Sequence, residues 1–225
     1  MTERNDSHVI RGVTMNSSDV LDNLACSLGA NNELPNIVLA AALCESKDAD
    51  AISKIVDGLQ NPDTAISNDC IKVLYEIGER NPGLIADHYF SFIQLLQGRN
   101  NRLIWGGMTA LAQIVRLRPS EIYAHRNIVI SAYESGSVIT VDQSISIFAE
   151  LSRTSKEFES CLFPIILHHL ETCRPKEIPQ HAQRAFIAVN ESNAAEFKAV
   201  LQKRMDLLTD LQQKRLKRLI HSIGR

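Results

Sequence analysis

Apolar residues along this chain recur at helical spacing, and the same set of spacings returns about every 37 residues. Between 66 and 77, Ile66, Cys70, Val73, Leu74 and Ile77 fall at i, i+4, i+7, i+8 and i+11, one face of an α-helix. Steps of 37 give Leu103, Gly107, Ala110, Leu111 and Ile114, then Thr140, Ser144, Ile147, Phe148 and Leu151. Further steps of 38 and 34 give Ile178, Ala182, Ala185, Phe186 and Val189, then Gln212, Leu216, Leu219, Ile220 and Ile223. Only Thr140, Ser144 and Gln212 are polar. We denote these segments helix B.

The segments ahead of them repeat with the same offsets: Ile52, Ile55, Val56 and Leu59; Tyr89, Phe92, Ile93 and Leu96; Arg126, Val129, Ile130 and Tyr133; Phe163, Ile166, Leu167 and Leu170; Phe197, Val200, Leu201 and Arg204. These are helix A. A looser first copy, Leu21, Leu24, Ala25 and Leu28 followed by LPNIVLAAALCE, brings the count to about six pairs. Turn residues punctuate A from B at 61–63 (NPD), 98–101 (GRNN), 135–137 (SGS) and 174–179 (RPKEIP), and strand patterns are absent. One helix pair of this size cannot bury its apolar face alone, whereas copies stacked side by side form a continuous core. The expected fold is therefore all-α, a right-handed superhelix of antiparallel helix pairs repeating every 34–38 residues, filling 17–225 as a single domain behind a disordered segment at 1–16.

The stretch N61PDTAISNDCIKVLYEIG78 resembles a HEAT repeat, with Asn61, Pro62, Asp63, Ile66, Cys70, Val73, Leu74, Ile77 and Gly78 in the motif's places. The family's Arg position holds Ser67, Ile104, Val141 and Pro179 here. Armadillo repeats, which add a short third helix, are the near alternative. The resemblance implies a scaffold: most HEAT proteins bind other proteins, some bind nucleic acid and a few are enzymes. The di-iron hydroxylases of this architecture use His-Glu dipeptides, and none of the seven histidines here precedes a Glu. The alkylpurine DNA glycosylases use several aromatic residues and an Asp, while this chain has one Trp and 5% aromatic residues.

The resemblance also implies that the B helices line a concave side. On a helical wheel the B positions opposite the core stripe are Asn68, Lys72, Tyr75 and Glu79; Trp105, Thr109, Ala112 and Arg116; Asp142, Ser146, Ala149 and Arg153; Gln180, Arg184, Ile187 and Glu191; Lys214, Arg218, His221 and Arg225. Seven of these are basic and three acidic, on a chain whose formal net charge is -2. Residues 193–225 carry 8 basic and 3 acidic side chains, against 16 and 23 in residues 1–192. The candidate partner-binding residues are Lys72, Tyr75, Trp105, Arg116, Arg153, Arg184, Lys214 and Arg218.

The expected function is a non-enzymatic scaffold that binds a protein or peptide segment carrying acidic groups, Trp105 and Tyr75 serving as anchors. The alternative is a nucleic-acid binder, related to the alkylpurine glycosylases, with the same arginines on phosphates. No cofactor and no metal is expected. His168, His169 and Cys173 suggest ligands, but only His169 and Cys173 stand at i, i+4 and no second pair follows at ligand spacing. Five widely spaced cysteines, the lack of an apolar leader and the lack of a membrane-length apolar run point to a reduced, cytoplasmic protein.

Overall fold

The computed structural model describes residues 19–223; the segment expected to be disordered, 1–16, lies outside them, as does Arg225. The described residues form twelve α-helices joined by turns and short 3-10 segments: α1 (Leu34–Ser46), α2 (Ala49–Asp57), α3 (Thr64–Arg80), α4 (Tyr89–Leu95), α5 (Asn101–Ile114), α6 (Pro119–Ala124), α7 (Arg126–Ser135), α8 (Val138–Ser152), α9 (Lys156–Thr172), α10 (Ile178–Ala185), α11 (Ala194–Lys203) and α12 (Asp210–Ser222). None of them is long and apolar enough to cross a membrane.

The B helices are α1, α3, α5, α8, α10 and α12. Each packs on the next in that order, a ladder in which non-consecutive elements touch because the chain returns to the same side after each A helix. The A positions are taken by α2, α4, α7, the second part of α9, and α11. The first pair is abbreviated: a 3-10 turn at Val20–Asn23 stands where an A helix was expected. The loop behind it is tied down by side chains of later elements. Asn36 Oδ1 accepts from the Ala25 amide at 2.9 Å and Asp69 Oδ2 from the Cys26 amide at 2.7 Å.

The polar letters of the repeat differ, yet one polar duty recurs. The residue entering a B helix is Asp63, Asn100, Ser137 or Thr209, and each accepts a hydrogen bond from a first-turn amide, at 2.8, 3.0, 3.4 and 3.5 Å respectively. Thr209 and Gln212 complete a reciprocal capping box. Such caps satisfy otherwise orphaned donors and contribute about 1 kcal/mol each. The motif preserves a function at the helix start and leaves the residue type free.

The core stripe runs through the ladder without interruption. Cys70, Val73, Leu74, Ile77, Ala110, Leu111, Ile114, Ile147 and Phe148 are all fully buried. Thr140 and Ser144, the polar exceptions in the pattern, are equally buried. Their hydroxyls are consumed locally: Ser144 Oγ donates to the Thr140 carbonyl at 2.8 Å, and Thr140 Oγ1 pairs with Ser137 Oγ at 3.1 Å. They occupy core positions at little cost because no polar atom is left unmatched.

One element exceeds the two-helix expectation. The short helix α6 stands ahead of α7, and two 3-10 turns, Pro82–Leu84 and Ala86–His88, fill the same place ahead of α4. A short third helix is the armadillo variant of the pattern.

Gly106 and Gly107 are packing residues. A Cβ on Gly107 would meet the Phe92 carbonyl oxygen at 3.1 Å in its own A helix, and one on Gly106 would lie 2.5 Å from Ile71 Cγ1 on the preceding B helix. Alanine in a helix ordinarily stabilises relative to glycine by about 1 kcal/mol. Here the contact with a fully buried Ile71 reverses the sign. Gly106→Ala is expected to destabilise the chain by about 1–3 kcal/mol. In an Ile71→Ala background, where the obstructing arm is gone, the same substitution should be neutral or stabilising. Denaturant titrations of the four chains of this cycle check it.

Candidate ladder surface

Of the candidate residues, Lys214 and Arg218 are exposed, Tyr75, Trp105 and Arg184 are half-buried, and Lys72, expected to face a partner, is buried. Trp105 stands in the first half of α5, whereas Arg116, expected on the same helix face, lies in the turn just beyond the end of α5 at Ile114. Trp105 is half-buried and packs against Tyr75 of α3, ring centroids 5.7 Å apart and tilted by 46°. The ring is thus part of the joint between repeats and part of the surface.

The two rings sit in a frame of charge. Lys72 Nζ lies 4.8 Å from the Tyr75 centroid, and the Arg102 guanidinium 5.6 Å from that of Trp105. Both cations are held by Glu33, which precedes α1: Lys72 at 3.3 Å and Arg102 by a close ion pair. Lys72 also donates to Glu76 at 2.8 Å, and Glu76 in turn accepts from Arg80 at 2.6 Å. Lys72 is buried, its side chain 10% exposed, so it presents its stem and its charge inward to this network. Burial works against the ammonium, but the Glu76 carboxylate and the Tyr75 hydroxyl outweigh it and hold the lysine above its ordinary pKa. The hydrogen bond from Arg102 is the main cause that holds Glu33 below the usual carboxylate value. For Glu76, burial alone would raise the pKa, and the hydrogen bonds from Lys72 and Arg80 lower it overall.

Farther along, Arg116, in the turn after α5, and Arg153, at the end of α8, converge on one carboxylate. Arg116 Nε donates to Glu150 Oε1 at 2.7 Å, and Arg153 lies 3.4 Å from Glu150 Oε2. Arg184 donates to Ser146 Oγ at 2.7 Å across the joint between α8 and α10. Lys214 and Arg218 are exposed on α12 and line, with Lys176, Gln180 and Arg215, a depression of about 430 Å³ between α10 and α12.

Three acids that organise this surface, Glu33, Glu76 and Glu150, fall outside the helical-wheel selection. Glu76 and Glu150 flank the outward stripe by one position, which the wheel signals weakly. Glu33 approaches from 69 residues away in sequence, and nothing local announces it. The aromatic pair therefore lies in a nearly neutral setting, while the open positive charge gathers toward α12.

A second constellation lies beside the ladder. Tyr133 of α7, His169 of α9, His181 of α10 and Asp142 of α8 form a chain of hydrogen bonds: Tyr133 Oη to His169 Nδ1 at 3.0 Å, His169 Nε2 to His181 Nδ1 at 2.7 Å, and His181 Nε2 to Asp142 Oδ1 at 2.5 Å. Both imidazoles are buried. Burial first, and then the neighbouring His181, push His169 down to about 4, so its ring is neutral at neutral pH. With Cys173 these histidines place three potential ligand atoms within 4.8 Å of one another. The sequence singled out His169 and Cys173. It missed His181, which comes twelve residues later across the turn between α9 and α10.

No family model matches this sequence, and no curated protein does. Solved structures do match its fold. A computationally designed armadillo repeat protein for modular peptide recognition aligns over 83% of this chain and 86% of its own, with TM-score 0.63 and 12% identity. A second designed armadillo repeat protein aligns over 91% and 98%, with TM-score 0.63 and 11% identity. An engineered protein aligns over 90% and 96%, with TM-score 0.60 and 17% identity. The chain therefore has an armadillo/HEAT-like helical repeat fold, in agreement with the short helix α6.

The Lys72 network fixes a pH dependence. Glu33 and Glu76 are lowered from 4.5, so their stabilisation is complete above that value and is lost as pH falls through their depressed folded-state values. Glu76→Gln is expected to cost about 1–3 kcal/mol near neutral pH, because it leaves a buried ammonium short of a partner. The gap between variant and parent should shrink below the ordinary Glu pKa of 4.5. Chemical denaturation of both chains across that range measures it.

Proposed function

We propose that this chain is a non-enzymatic scaffold that binds an extended segment of a protein partner along its B-helix ladder. The single observation that carries the reading is the Tyr75–Trp105 pair, half-buried at the joint of two repeats and flanked by cations. Rings fixed by their own packing lose little freedom on binding, and aromatic and arginine side chains dominate the energetics of such surfaces. The cations toward α12 suit acidic groups farther along the segment. The designed armadillo protein that shares this fold was made for modular peptide recognition.

The exposed bases Lys214, Arg215 and Arg218 around the depression beside α12 favour a second reading, a nucleic acid held by its phosphates. The two differ in salt response. A nucleic-acid complex weakens steeply as salt rises, because each neutralised phosphate releases counterions. A peptide complex centred on the aromatic pair weakens only slightly.

Trp105 is the only tryptophan in the chain, so its emission reports directly on this place. Extended peptides graded in acidic content are expected to shift that emission. By calorimetry, Trp105→Ala should weaken the best of them by about 2 kcal/mol, roughly thirtyfold. Charge reversal of Arg184 and Arg218 should selectively weaken the acidic members. If no peptide moves the emission, or Trp105→Ala binds as the parent does, the reading fails. Tight, salt-sensitive binding of single- or double-stranded nucleic acid that Trp105→Ala leaves unchanged would establish the second reading.

A further inference from the structure

We propose that His169, Cys173 and His181 form a zinc site of the open kind, with three protein ligands and a fourth position facing the adjacent cavity. The proposal is independent of the ladder reading. It rests on which atoms are free to ligate and on what stands behind them.

The ligand atoms would be His169 Nε2, His181 Nδ1 and Cys173 Sγ, all within 4.8 Å of one another. Tetrahedral zinc bonds of about 2.0–2.3 Å place ligand atoms roughly 3.3–3.7 Å apart. The two imidazole nitrogens, now 2.7 Å apart, move outward by a fraction of an ångström, and Cys173 Sγ, within 4.8 Å of them, closes inward by about an ångström. His169 and Cys173 are one turn apart at the end of α9, and His181 meets them from the first turns of α10.

The nitrogens that point away from the site have partners suited to a metal-bound state. His181 Nε2 is held by Asp142, the carboxylate support that fixes the tautomer and raises the basicity of a zinc-bound imidazole. His169 Nδ1 is held by the Tyr133 hydroxyl, which accepts as readily as it donates. Without metal, the chain of bonds runs from the Tyr133 O–H to His169 Nδ1, from His169 Nε2–H to His181 Nδ1, and from His181 Nε2–H to Asp142. Metal binding changes two links: His169 takes the tautomer protonated at Nδ1 and donates to Tyr133 Oη, and the ion replaces the proton between His169 Nε2 and His181 Nδ1. His181 needs no change. Cys173 binds as the thiolate and its proton passes to solvent. The Tyr133 O–H, which loses its acceptor in the metal-bound state, turns to water in the cavity that Tyr133 lines.

The cluster borders a cavity of about 790 Å³, whose lining includes Glu134, His168 and Glu177, so an ion has an approach and its fourth ligand, water, has room. No methionine lines that cavity to supply the long axial bond of a copper electron-transfer site. Zinc is the ion that a two-histidine, one-thiolate set with an open position fits best.

The test uses the full chain, stripped with a chelator and titrated with Zn²⁺ against a chromophoric competitor, then with Co²⁺ as a spectroscopic substitute. Stoichiometric binding is expected, with a raised melting temperature and a cobalt spectrum containing tetrahedral ligand-field bands and a thiolate charge-transfer band. Cys173→Ser should abolish the charge-transfer band. Asp142→Asn should weaken zinc by roughly 10–100-fold, and His169→Gln or His181→Gln by more. His88→Gln, a change at a histidine outside the cavity lining, should leave affinity unchanged. Circular dichroism of each metal-free variant monitors folding; if a histidine variant fails to fold, Cys173→Ser and Asp142→Asn carry the test. The proposal is overturned if the parent binds Zn²⁺ only weakly and without saturation, if no thiolate band forms, or if Cys173→Ser and Asp142→Asn bind as the parent does.

Discussion

Each B helix inside the ladder has two kinds of apolar neighbour to satisfy, its own A helix and the adjoining B helices, and no single repeat supplies both. Burial at the B-to-B joint therefore holds the architecture together. Ile71 shows how closely: its side chain occupies the space that Gly106 leaves open one repeat later, so the distance between α3 and α5 is set by one missing methyl group. Interiors packed this tightly transmit displacement and do not absorb it. Spacing along the ladder is thus a property of the core, and the surface inherits it.

That inheritance explains the charge pattern. Stacking B helices side by side places outward residues of one repeat within reach of the next, and the chain uses the juxtaposition repeatedly. Glu33 meets Lys72 and Arg102, Glu150 meets Arg116, and Asp142 meets Gln180. Where both partners are mostly buried, as for Lys72 and Glu76, removal of one is costly, because the other is left without compensation. Where the cation is largely exposed, as for Arg116, the pair contributes little to stability and chiefly orients the side chain. The outward arginines just after α5 and α8 are held in place, whereas the bases of α12 stand open to solvent.

The helix ladder was legible in sequence because burial on both sides of a helix imposes a period that polar substitution cannot disguise. Thr140 and Ser144 tested the rule and obeyed it, since a hydroxyl can be satisfied within its own turn. Less could be read where satisfaction comes from a distance. The helix α6 is too short to establish a period. The missing first A helix is replaced by bonds from Asn36 and Asp69, which lie in later elements. Glu33 joins the Tyr75–Trp105 frame only through the fold. In the buried cluster, Tyr133 and Asp142 each carried another reading in sequence, one as a core position and the other as an outward one. His181 carried none, because it belongs to the next repeat.

Asp142 stands where interior and surface meet, and its two oxygens have separate duties. Oδ1 takes the His181 bond inside the joint between α8 and α10, while Oδ2 accepts from Gln180 on the ladder at 2.9 Å. One turn farther along the same two helices, Ser146 receives Arg184. One carboxylate thus meets both the buried His181 ring and the outward Gln180 side chain. The outward register of α8 against α10 is therefore tied to the geometry of the buried histidine pair through one shared group and not through a long path.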